Sequence, residues 1–96
     1  MTATKLANEV RPPAVAGAFY PADPVQLMQM IDGYLAEAQR LEPEPSTLIV
    51  PHAGYVYSGG VAAHGFKQAL ERDYEHVVIL GFNHGYAYGF DGAAVW

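Results

Sequence analysis

With 96 residues and no cysteine, the sequence allows one modest domain and excludes disulfides and thiolate ligands. Apolar residues make up 51%, too many for a disordered chain. Ten acidic residues against five basic give a formal charge of −5, which argues against nucleic acid and anionic membranes as partners.

The opening, "MTATKLANEVRPP", lacks the apolar core of a signal peptide. No later run approaches the roughly 20 apolar residues that span a bilayer. The expectation is a cytoplasmic protein with no membrane partner, and the absence of cysteine fits a reducing compartment. Residues 1–13 read as an extended lead, because Pro12 and Pro13 block a helix there. The loop "AVAGAFYPADP" follows. Its Phe19 and Tyr20 are too apolar for a free tail, so it is expected to pack on the body of the protein.

A first helix is well marked near 24–39. Asp23 is a good N-cap and Pro24 suits the first helical position. Leu27, Met30, Ile31, Tyr34, Leu35 and Ala38 recur at three- and four-residue spacing and define its buried face. "LEPEPS" is a proline-broken linker. "TLIV", 47–50, reads as a strand buried on both faces. After the loop "PHAGYVYSGG", Ser58 can cap a second helix over about 60–72, with Val61, Ala62, Phe66, Ala69 and Leu70 inward. "HVVILG", 76–81, is a second all-apolar strand, and "FNHGYAYGFDG" a loop rich in glycine and aromatics. Strand, helix and strand make a βαβ crossover. The expected fold class is therefore α/β, a partial and largely parallel sheet. Two helices cannot cover both faces of such a sheet, so self-association through uncovered apolar surface is expected.

His52 and His84 each stand just past the carboxyl end of a predicted strand, about thirty residues apart. Neighbouring parallel strands open on one side, about 4.8 Å apart, so both imidazoles can converge above one sheet edge. Neutral imidazole is the commonest protein metal ligand, although two are fewer than the three protein ligands most transition-metal sites use. A loop histidine is also often a hydrogen-bonded structural residue. His64, within the second helix, and His76, opening the second strand, read as structural. Tyr55 could donate to a substrate or pack; Tyr57 reads as a packing anchor. Asn83 either orients a ligand or closes a turn, and Asp91 in "FDG" makes a turn.

"VRPPAVAGAFYPADP", "LIVPHAGYVYSGGVAAHGF" and "VVILGFNH", in this order, resemble the amino-terminal part of the Memo family (mediator of cell motility; AmmeMemoRadiSam system protein B). The resemblance runs from about Val10 to Asp91, and residues 14–96 would be the amino-terminal portion of a Memo-like α/β domain. It implies a fold similar to class III extradiol dioxygenases and a pocket for a nonheme metal or a substrate. His52 falls on the family's "PHAGY" histidine. His84 falls on the histidine of its "GPSH", written "GFNH" here. The implied metal is a divalent transition metal, iron or copper, and the family completes the ligand set with a histidine and a cysteine much later in its chain. On this resemblance His52 and His84 are the metal residues, and Tyr55 and Asn83 the substrate-binding candidates. Three readings stay open: half of a dioxygenase-related pocket, a non-catalytic module binding a peptide, small molecule or anion, and a truncated product without independent activity.

Overall fold

The computed structural model describes residues 10, 12–41 and 43–82. The chain divides into two units: Val15–Glu75, and a second drawn from the two ends of the sequence. In the first unit, helix α1 spans Pro24–Glu37 and helix α2 spans Gly60–Lys67. A π-helical turn, Tyr55–Gly59, runs directly into α2.

Helix α1 forms as its sequence dictates. The Asp23 carboxylate accepts a hydrogen bond from Gln26 N at 3.1 Å, satisfying one of the amides that the first turn leaves unpaired. Pro24 stands in the first turn, where its missing N–H costs nothing. Leu27, Met30, Ile31, Tyr34 and Leu35 are half-buried and Ala38 is buried, so the predicted stripe is the face turned inward. It packs against α2. Where they meet, the buried residues are small: Ala38 and Ala63, with Ser58 of the π-turn. Helix α2 is shorter than the expected 60–72, and a non-α turn continues over 68–71, ending at Glu71 with φ 61°.

The two helices are also tied at their carboxyl ends. Gln68 Oε1 accepts from Leu41 N at 2.6 Å, while Gln68 Nε2 donates to Gln39 O at 2.8 Å and to His64 O at 2.9 Å. Arg40 donates to Leu70 O, and Arg72 Nε donates to Gln68 O at 2.9 Å. Arg72 also pairs with Glu44 at 3.4 Å.

The expected α/β fold, a largely parallel sheet with a βαβ crossover, is overturned. Among the described residues there is no strand. Residues 47–52 and 76–82 carry no ladder, and the backbone pairing described outside the helices consists of turns, isolated bridges such as Ala16 with Tyr20, and single bonds between loops. Residues 47–50 are not covered on both faces. Leu48 and Val50 are half-buried whereas Ile49 is 96% exposed. That alternation belongs to an extended segment laid on one surface. In the second unit Val77, Val78, Ile79 and Leu80 are all exposed, Leu80 at 94%. An apolar run becomes a buried strand only where partners flank it and layers cover it. Helix α1 packs against α2, but of the residues expected to face inward from the second helix Val61, Phe66 and Leu70 are exposed, and Ala62 and Ala69 are half-buried.

Candidate functional site

The segment Pro51–Gly60 is built from loop contacts rather than from a sheet edge. Gly54 precedes the π-turn with φ −54° and ψ 150°, an extended geometry that swings the chain from the loop into the helix. Its carbonyl accepts from Tyr57 N at 2.9 Å and from Ser58 N at 3.0 Å. The Ser58 hydroxyl donates back to Ala53 O at 3.0 Å from a buried position. Ser58 therefore does not cap α2, as its sequence context suggests. It lies inside the π-turn and pins the loop that carries His52.

The segment 15–20 forms the other wall. Ala18 N and Phe19 N both donate to Val15 O at 3.0 Å, and Gly17 N donates to Tyr20 O at 2.7 Å. This tight turn presents Phe19 O to Tyr55 N at 2.8 Å, joining the two loops by a backbone bond. The rings of Tyr20 and Tyr55 meet at 5.4 Å between centroids, tilted by 45°, a favourable aromatic geometry. Gly54 lies against the same turn: a Cβ there would stand 3.5 Å from Phe19 O, an ordinary contact distance. Between the walls lies an open cleft of about 240 Å³, lined among others by Phe19, Tyr20, Met30, Tyr55, Val56 and Tyr57.

The expectation that the Phe19–Tyr20 loop packs on the body is met through Tyr55. Tyr55 is half-buried and belongs to the cleft. Tyr57, expected as a packing anchor, is 85% exposed at the cleft rim. His52 is exposed, two residues ahead of Gly54. Asn83, His84 and Asp91 lie outside the described residues, so the convergence of His52 with His84 is not placed. Among the described residues no group of three or more His, Cys, Asp or Glu could hold a metal ion. His64 and His76 are exposed, and His64 contributes its carbonyl to Gln68. Sequence reasoning placed Tyr34 on the buried face of α1 but missed its polar end. Its hydroxyl donates to Tyr55 O at 3.1 Å, a contact that spacing alone does not reveal.

The family described as Memo-like protein matches residues 11–95. Curated relatives named MEMO1 family protein include one from Sulfolobus acidocaldarius, 44% identical over 88 residues, covering 78% of this chain and 31% of the relative. One from Ignicoccus hospitalis is 45% identical over 86 residues, covering 78% of this chain and 30% of the relative. One from Aquifex aeolicus is 44% identical over 75 residues, covering 78% of this chain and 27% of the relative. The chain thus spans less than a third of the length of these relatives. No solved structure matches.

Proposed function

The chain belongs to the Memo-like family, and from that membership we propose that it carries half of a nonheme metal or substrate pocket related to class III dioxygenases. The observation that carries the reading is exposed His52, two positions ahead of Gly54, where this segment begins to line the aromatic cleft. His52 and His84 would supply the imidazole donors to iron or copper, and Tyr55 and Asn83 would face a substrate. A bound redox metal would supply electron transfer to a small oxidant or substrate. The described residues do not form a metal centre by themselves, since they offer no group of three candidate ligands. With two imidazoles as donors, binding is weak and the chain alone shows no turnover.

Titration calorimetry with Fe(II), Cu(II) and Zn(II) on the wild type, His52→Ala and His84→Ala tests this. Weak binding that disappears in both variants, and that fades in acid where imidazole takes up a proton, supports the reading. Tight binding that survives His52→Ala overturns it.

A non-catalytic module for a peptide or anion is the second reading, favoured by the open aromatic cleft. A ligand that binds equally well in the presence of a chelator and in His52→Ala, and is lost in Tyr57→Ala, identifies this reading instead.

A further inference from the structure

Tyr34 reaches from α1 to the π-turn, 21 positions along the chain, and makes two kinds of contact there. Its hydroxyl donates to Tyr55 O at 3.1 Å. Its ring covers the glycine pair: a Cβ on Gly59 would stand 2.8 Å from Tyr34 Cε2, and one on Gly60 3.6 Å from Tyr34 Cδ1. A π-helical turn holds more residues than an α turn and is rare because its packing is looser. Something must keep it from tightening. Here a side chain from another helix supplies a donor to the first carbonyl of the turn and fills the space over its last residue.

We propose that Tyr34 is a positioning residue that holds Tyr55–Gly59 in the wide register and thereby fixes His52. The inference rests on the reading of His52 as a site residue. The carboxyl end of α2 is fastened by Gln68 to Leu41 and Gln39, so the helix cannot absorb a change of register by sliding. If the turn tightened to α geometry, the surplus residue would pass back into Pro51–Gly54. The Ser58–Ala53 and Tyr55–Phe19 bonds would then lose their alignment, and His52 would move relative to the cleft.

The test uses the full chain, free of metal, as wild type, Tyr34→Phe and Tyr34→Leu. Tyr34→Phe removes the hydroxyl and keeps the ring. Amide exchange over Tyr55–Gly60 is expected to accelerate about fivefold, the equivalent of one ordinary hydrogen bond. Amides of α1 change little, and the His52 ring resonance shifts at constant pH. Tyr34→Leu gives a larger change over the same residues. The proposal is overturned if Tyr34→Phe accelerates both helices alike, or if His52 and the π-turn amides are unaffected. A separate Zn(II) titration of the wild type, read at the His52 resonance, reports on the site assignment. No response there removes the metal reading without bearing on the hold of Tyr34 over the turn.

Discussion

Val50 occupies the space over Gly65: a Cβ built on that glycine would fall 2.6 Å from Val50 Cγ1. The glycine is therefore a packing device, letting the extended segment ahead of His52 lie directly on α2. Gly65→Ala gains about 1 kcal/mol of helix propensity but loses about 1–3 kcal/mol to overpacking, so net destabilisation is expected. Urea unfolding measures it. In a Val50→Ala background the same change should become neutral or stabilising. An equal loss in both backgrounds would show that Val50 is not the cause.

Glu71 ends the turn after α2 with φ 61°, a conformation that costs an L-residue roughly 1 kcal/mol and glycine almost nothing. Glu71→Gly is expected to stabilise the chain by about 0.5 kcal/mol, after the extra freedom of the unfolded glycine is counted. A lowered thermal midpoint in this variant would contradict the assignment.

Removing the N-cap with Asp23→Ala should cost about 1 kcal/mol, since Gln26 N loses its acceptor. Asp23→Asn, which keeps an acceptor oxygen, should restore most of the loss. Circular dichroism during thermal unfolding compares the three.

The Tyr74 hydroxyl is held above its ordinary value of 10.0, first by desolvation and then by its hydrogen bond to the Glu44 carboxylate and the charge of that group. The folded chain therefore keeps the proton longer than the unfolded chain does. This contribution to stability is fully present below pH 10.0 and is lost as pH rises through the higher folded value. Alkaline unfolding of Tyr74→Phe should show a shallower decline than the wild type in that range. Identical declines would mean that Tyr74 is not responsible.

How much of this was legible depends on the range of the interaction. Helix α1 could be read from Asp23, Pro24 and the spacing of Leu27 through Ala38, because a cap and an amphipathic stripe are local. The runs at 47–50 and 76–81 read as strands in the sequence and are not strands in the structure. Apolarity states what a segment would tolerate, whereas a strand needs neighbours. Val50 finds α2 and Ile49 finds solvent. Ser58 looked like a cap because Ser-Gly-Gly commonly opens a helix. The actual wide turn depends on Tyr34, a residue no local pattern connects to it. At the site, "PHAGY" marks His52 and Tyr55 as candidates, with Tyr55 open between donor and packing residue; its bond to Phe19 O is not visible there, since any residue could present that carbonyl.

The Gln68 side chain closes a ring of chain that starts at Leu41, 27 positions earlier. Drawing those ends together from the unfolded state costs entropy that grows only with the logarithm of the ring size. Doubling the ring would add about 0.6 kcal/mol. The proline-containing stretch just after Leu41 is thus a place where the chain could lengthen over evolutionary time at small thermodynamic penalty. The same economy does not extend to Pro51–Gly60, where a single inserted residue would have to be absorbed between bonds anchored at Phe19, Ala53 and Tyr34.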